Sequence, residues 1–386
     1  MIKWFKRHSL LLKDAFFSTI FCLILTFILA GIVVNLSFLN PFKEAFKDFS
    51  FTDIYYSEKI QETTLPKDII LINIEDRNRF ELGLLLESVL AENPKVIGLD
   101  AIFRNPKDSM GDAYLSAQLQ NPKVVSALNI ERNEIIRTHS SLKPANENFI
   151  NISFDLKSKV VRTFESFHKS DSGIDTSFTF QIASKFGAEL PMKKLNQSQF
   201  IKYSGKYTSF IHFGFDEFML MQDKQLIKDK IILLGYLGVP LGDSFDVEDK
   251  FFTPLNEKTS GKSLPDMFGV VIHANILKML IENDYLSKTP TFIALMIDFL
   301  SVFLFMIFSL KLEKRGEIYN RTFKWFVLFT YTAFLLYLHL LFYSKDIYIN
   351  VFNIIALTGI SANMFIFYVH FLKFIKSKIP WKSYLD

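Results

Sequence analysis

The run Asp68–Glu75 (DIILINIE) is continuously apolar between Pro66 and a charged stretch. A strand with one face in water would alternate apolar and polar residues; this one does not, so it reads as a strand buried on both faces. Phe80–Ala91 follows with Leu82, Leu85, Leu86, Val89 and Leu90 on one side at helical spacing. After the Asn93-Pro94 turn, Lys95–Asp100 (KVIGLD) is a second buried strand, and Val124–Leu128 a third. Strand, helix, strand at this spacing implies a parallel pair with a crossover helix.

Outward from this core the pattern changes. Asn148–Phe154 and Lys159–Phe167 read as paired strands, Ser177–Phe186 as a helix ending at Gly187, and Phe200–Tyr203 and Phe210–Phe213 as short strands around Gly205. Lys230–Gly235 (KIILLG) is the clearest late buried strand, and Val270–Ile281 an apolar helix. The fold class expected is α/β with a mixed sheet, a parallel core plus an antiparallel addition. Asp243–Pro265 is a long polar loop; the sequence contains no internal repeat and no low-complexity segment.

This domain is bracketed by apolar runs at Phe16–Leu39, Pro290–Leu310, Trp325–Tyr343 and Ile347–Leu372. Each can cross a hydrocarbon core, which takes about 20 residues. The first is longer than a signal-peptide apolar region and lacks a clean small-residue cleavage site, so it reads as an uncleaved anchor. Lys3, Lys6, Arg7 and Lys13 precede the first run; Lys311, Lys314, Arg315, Arg321 and Lys324 separate the second and third; Lys373, Lys376, Lys378 and Lys382 follow the fourth. The positive-inside rule then gives one orientation. Residues 1–15 and 373–386 are expected in the cytoplasm, 16–39, 290–310, 325–343 and 347–372 as spans, and 40–288 outside.

Net charge is +4, yet residues 40–288 carry 30 Lys+Arg against 34 Asp+Glu, so the basic excess belongs to the span flanks. That balance argues against a nucleic-acid partner. The single cysteine, Cys22, lies in the first span, which excludes an intrachain disulfide and a cysteine metal site. Polar residues inside the spans include Asp298, His339, Asn353 and Asn363. An intramembrane acid is costly, so Asp298 is either bonded to a neighbouring helix or protonated, or it marks a partner contact or an ion path.

Catalytic motifs are missing. There is no G-x-S-x-G and no H-E-x-x-H, and Gly261-Lys262-Ser263 lacks the first P-loop glycine, since Asn256 occupies that place. No catalytic residue, metal or cofactor is expected, and the chain reads as a non-enzyme. Acids do stand at strand ends: Asp76, Asp100 and, in the loop after Lys230–Gly235, Asp243, with His273 entering the last helix of the domain. One reading is a polar ligand or cation pocket at the sheet's carboxyl edge. The other is structural: the acids cap helices and loops, and His273 bonds to the Thr253-Pro254 loop. The structural reading is favoured, because strand-end acids commonly serve in this way.

The ordered set Asp68–Asp76 (DIILINIED), Val96–Phe103 (VIGLDAIF), Val160–Phe164 (VVRTF), Phe200–Gly205 (FIKYSG), Asp229–Gly235 (DKIILLG), Gly242-Asp243, Thr253-Pro254-Leu255 and Gly269–Asn275 (GVVIHAN) resembles the second type of CHASE domain, a bacterial sensory extracellular domain associated with cyclases and histidine kinases. The resemblance spans residues 45–285. Thr253, Pro254, Gly269 and Asn275 belong to its structural motifs. It implies an extracytoplasmic sensory domain in the bacterial inner membrane, followed by three helices. Relatives commonly continue into a kinase or cyclase; only residues 373–386 follow the last span here, so no output domain is expected in this sequence. The function expected is a sensor-type input protein whose outside domain binds a ligand or envelope partner and acts on a separate output protein. The alternatives are a structural subunit or assembly factor of an envelope complex, a small transporter or pore, and an extracytoplasmic enzyme. Its partners would be the lipid bilayer and a membrane or envelope protein; the ligand is not legible.

Overall fold

The computed structural model describes residues 2–34, 66–131, 134–154, 159–170, 173–256, 264–315 and 317–386. The last residues of the first expected span, the entry into the α/β domain (40–65) and Gly261-Lys262-Ser263 lie outside the described residues. The chain divides into two compact units, Met1–Phe42 with Leu286–Asp386, and Lys43–Tyr285.

In chain order the helices used below are α1 (Ile2–Val34), α2 (Arg79–Ala91), α3 (Ser109–Leu119), α4 (Phe178–Phe186), α5 (Phe215–Leu220), α6 (Gly269–Glu282), α7 (Thr291–Glu313), α8 (Glu317–Tyr343) and α9 (Val351–Lys378). The strands are β1 (Ile69–Asn73), β2 (Val96–Leu99), β3 (Val124–Glu131), β4 (Glu134–Ile136), β5 (Glu147–Phe149), β6 (Ser153–Phe154), β7 (Val161–Phe164), β8 (Phe167–Ser170), β9 (Gly173–Thr176), β10 (Gln199–Phe200), β11 (Ile211–Phe213), β12 (Ile231–Gly235), β13 (Lys250–Phe251), β14 (Met267–Phe268), β15 (Ser287–Lys288) and β16 (Ile347–Tyr348).

Among the described residues the main sheet has seven strands in the order β11-β1-β12-β2-β3-β4, with β5 also on β3. Every pair is parallel except β3 with β4. A small antiparallel sheet, β10-β7-β6, stands beside it. The mixed α/β class holds. One pairing differs from the sequence reading: β1 and β2 are not neighbours, because β12 lies between them, Ile69 opposite Ile231 and Val96 opposite Ile231. A central place suits β12, whose five residues are all buried. Asn148–Phe154 also splits, β5 joining β3 in parallel while β6 pairs with β7. Helix α3 was not expected; its apolar positions are few, and Asp108 starts it by accepting from the Met110 and Gly111 N–H.

Alternation along β2 assigns the two faces. Ile97 and Leu99 join Leu82, Leu85, Leu86, Leu115, Leu119 and Phe218 in one core, beneath α2, α3 and α5. Gly98 points the other way, where Phe178 and Ile182 of α4 press against the sheet. Asn78 and Glu81 form a reciprocal capping box at the start of α2. Ser177 caps α4, which ends on Gly187 at φ +94°, a conformation open to glycine. Buried Asn73 ends β1: its Oδ1 accepts from the Leu237 and Glu75 N–H at 2.9 and 3.1 Å, and its Nδ2 donates to Gly238 O at 2.8 Å.

Among the described residues the other unit contains four helices long and apolar enough to cross a membrane: Arg7–Gly31, Thr291–Glu313, Phe323–Tyr343 and Val351–Lys378. The fourth starts later than expected, since Ile347–Tyr348 is β16, paired in parallel with β15. Leu11, Ala15, Cys22, Val302, Met306, Phe365 and Leu372 form a core among α1, α7 and α9. Hydroxyls bond across it: Thr26 to Ser361 at 3.1 Å, and Ser301 to Tyr331 at 2.5 Å and to Thr358 at 2.8 Å. At one end buried Asp14 accepts from Ser383 Oγ and the Tyr384 N–H at 2.6 and 2.7 Å, while Lys13 lies 3.6 Å above the Trp381 ring.

A Cβ on Gly98 would stand 2.5, 2.7 and 2.8 Å from side-chain carbons of Ile182, Phe178 and Leu233. Gly98→Ala should therefore destabilise the α/β unit by about 1–3 kcal/mol, read as a lower unfolding temperature of the full chain in detergent. An unchanged transition would mean that α4 does not press on β2.

Candidate functional site

The pleat that buries Ile97 and Leu99 on one face sends Asp100, the next residue after β2, to the other face, towards α6. There His273, on the second turn of α6, presents Nε2 at 3.9 Å from Asp100 Oδ2; both side chains are buried, with 5% and 7% of their surface exposed. Phe178 closes the site edge-on, its ring centre 5.3 Å from that of His273. No hydrogen-bond donor among the described residues reaches the Asp100 carboxylate, and His273 Nδ1 has no partner there. Burial raises the Asp100 carboxyl to about 7 and lowers the His273 imidazole to about 4. At neutral pH the imidazole is therefore uncharged, while the carboxyl is near its midpoint of ionisation.

A third group belongs to this cluster and was not read from sequence. Asp249 sits at φ +52° just before β13, and its carboxylate oxygens lie 3.1–3.2 Å from the position a Cβ on Gly269 would take. Its main-chain O accepts from the Gly269 N–H at 2.9 Å, at the start of α6. Much of the residue is open to solvent, yet the carboxyl is raised to about 8, first by desolvation and then by the charge of Asp100. Its only sequence signal was the acidic run Glu248-Asp249 in a loop with no periodicity.

The other expected site residues are placed apart from this pair. Asp76 is exposed past the end of β1. Asp243 turns its own loop, accepting from the Phe245 N–H at 2.9 Å. Among the described residues no group of three or more His, Cys, Asp or Glu could hold a metal ion. Thr253 bonds to Asp266 rather than to His273, by N–H at 2.8 Å and Oγ1 at 2.5 Å, and burial raises the Asp266 carboxyl to about 6. Pro254 follows in the same turn, and Gly269 opens α6. Fully buried Asn275 is saturated: it accepts from the Ser204 and Gly205 N–H and donates to Gly205 O and Val271 O at 3.0 and 2.8 Å, clasping the 204–205 segment to α6.

Within the helical unit Asp298 is half-buried and has no hydrogen-bond or ion-pair partner among the described residues. His339 is buried with Nδ1 2.9 Å from Ile349 O. Asn353 is exposed in the first turn of α9, and Asn363 donates to Gly359 O on its own helix. Interhelical bonds among the described residues are made by Thr26, Ser301, Tyr331, Thr358 and Ser361, hydroxyls that carry no sequence pattern, and by Lys324, which donates to Ala362 O at 3.1 Å.

A family model described as CHASE2 domain matches residues 25–310. No curated protein and no solved structure matches the chain.

Raised carboxyls and a lowered imidazole act on stability with opposite signs. The Asp100 and Asp249 contribution is complete below the ordinary carboxyl range and is lost as pH rises through about 7 and 8. The His273 contribution is complete above its ordinary value and is lost as pH falls towards about 4. Above about pH 6.5, where an unfolded histidine is already neutral, only the carboxyl terms remain. The unfolding temperature should therefore fall from pH 6.5 to 8. Asp100→Asn removes a charge that has no donor and should flatten that fall, leaving the variant at least as stable as the parent at pH 8. A variant that loses stability equally at pH 6 and pH 8 would mean the carboxylate is held by strong partners after all.

Proposed function

The chain belongs to the CHASE2 domain family, and from that premise we propose that it is a membrane-embedded, sensor-type input protein. Its α/β domain binds a ligand or an envelope partner outside the cytoplasmic membrane. The change passes through the helices to an output protein on the cytoplasmic side. The domain works by binding and not by turnover.

The observation that carries this reading is the path out of α6. That helix bears His273 and Asn275 and runs in sequence through residues 283–290 into α7. The connecting segment is tied down rather than slack. Ser287 N–H donates to Asp346 O at 2.7 Å, Thr289 N–H to Tyr348 O at 3.1 Å, and Thr289 Oγ1 to the same oxygen at 2.9 Å. Within the helical unit the approach to α7 and the α8–α9 turn are thus held together, and α6 precedes them directly in the chain. Such a route supports signalling only if binding favours one of two arrangements of it.

Both ends of the helical unit fit the orientation expected from the basic flanks. The β15–β16 pairing joins the start of α7 to the α8–α9 turn at one end, while Lys314 Nζ donates to Tyr384 O at the other. Cysteines at Ser9, Arg315 and Lys382 should be protected from an impermeant thiol reagent in intact cells. Those at Lys169 and Glu189 should label once any outer membrane is opened. Labelling at 315 under the same conditions would overturn the orientation.

Coupling is tested by locking the register pair Ser287 and Ile347 with a disulfide in the Ser287→Cys, Ile347→Cys variant. Photo-crosslinkers at Lys311 and Lys373 should capture a discrete cytoplasmic protein, with a yield that changes between the reduced and locked states. A yield indifferent to the lock would sink the coupling route.

A further inference from the structure

A cleft of about 600 Å³ lies beyond the carboxyl ends of β1 and β2, between the first turn of α2 and the segment 102–108. It is separate from the Asp100–His273 cluster, which faces α6 on the opposite side of the sheet. Open α/β sheets place ligands at this edge. The size is that of a small-molecule site, well beyond a bare inorganic anion.

Its walls divide by chemistry. Phe80, Ile102 and Phe103 supply apolar surface, and Arg79, Arg104 and Lys107 supply cations. Arg79 is fixed: it is buried, ion-paired to Asp112 and bonded to Asn105 O, and its guanidinium lies 5.3 Å from the Phe103 ring centre. Its Nε–H is a buried donor with no acceptor among the described residues. Arg104 and Lys107 are exposed, and no acceptor among the described residues takes up either side chain. The acid that lines the cleft, Asp108, is spent on the first N–H groups of α3. At the far end Arg77 is already matched by Glu75 and Asp216 at 2.8 Å and Glu81 at 3.4 Å.

Arg104 and Lys107 are therefore the two cations on the wall of this cleft that no acid pairs, beside a middle that is aromatic. We propose that this cleft is a binding site for an organic anion, its phosphoryl or carboxylate group held by Arg104 and Lys107 and its apolar body laid against Phe80 and Phe103. The ion contacts give orientation, and burial of the apolar body gives most of the affinity. The site stands on its own geometry and does not depend on the sensor reading.

The test uses the full chain in neutral detergent and follows thermal unfolding with four probes: phenyl phosphate, phenylacetate, inorganic phosphate and benzyl alcohol. A ligand that binds only the folded state raises the unfolding temperature in a saturable way. Phenyl phosphate or phenylacetate should do so, and which is stronger identifies the anionic group. Inorganic phosphate and benzyl alcohol should do so weakly or not at all. The R104E/K107E variant should keep the ligand-free unfolding temperature, since both side chains are exposed and unpartnered, and should weaken the aromatic anion by about tenfold or more. Three results would overturn the proposal: no saturable shift with either aromatic anion, a shift of equal size with benzyl alcohol, or an unchanged affinity in R104E/K107E.

Discussion

The backbone groups of β12 have no water to turn to. All five residues are buried, and both flanks of the strand are occupied, by β1 on one side and β2 on the other. A lost ladder bond there would leave a buried N–H or C=O at a cost of about 1–3 kcal/mol. The strand must therefore be seated between two parallel neighbours, and this fixes what surrounds them. Helices must cover both faces, as α2, α3 and α5 do on one and α4 and α6 on the other. Polar groups are pushed to the strand ends, where chains can turn and side chains can reach main-chain donors.

Those ends are managed differently. Asn73 and Asn275 are amides that both donate and accept in a buried setting, and Asn275 is saturated. Asp266 has the hydroxyl and N–H of Thr253. Asp100 has only an imidazole at 3.9 Å. A carboxyl without donors keeps its proton to higher pH, and burial does this at Asp100. The cleft on the opposite face is built the other way round, with Arg104 and Lys107 exposed and no acid among the described residues paired to either.

In the helical unit lipid supplies no hydrophobic drive between helices, so packing and hydroxyl bonds must hold them. Ser301 bonds to α8 and α9, Thr26 to α9, and buried Asp14 gathers the 383–384 segment against α1. Asp298 takes no part in this network, which leaves an intramembrane acid without a donor among the described residues.

The sequence by itself determined the buried strands, the spans and the family, because each is written in contiguous residues. Ile69–Ile72 within DIILINIE and Ile231–Leu234 within KIILLG are apolar throughout since both their faces are covered, and four apolar runs with basic flanks need no tertiary context. Strand order was beyond its reach: β12 enters between β1 and β2 from far along the chain, and nothing local records such a pairing. Helix α3 was missed because its apolar contrast is low and its start depends on one cap, Asp108. Of the strand-end acids, composition could not tell which would meet His273. That depended on the pleat after Gly98, which turns Asp100 towards α6, and on a polar loop that carries Asp249 to Gly269. Proximity between residues distant in sequence is set by packing, and only the folded sheet decided it.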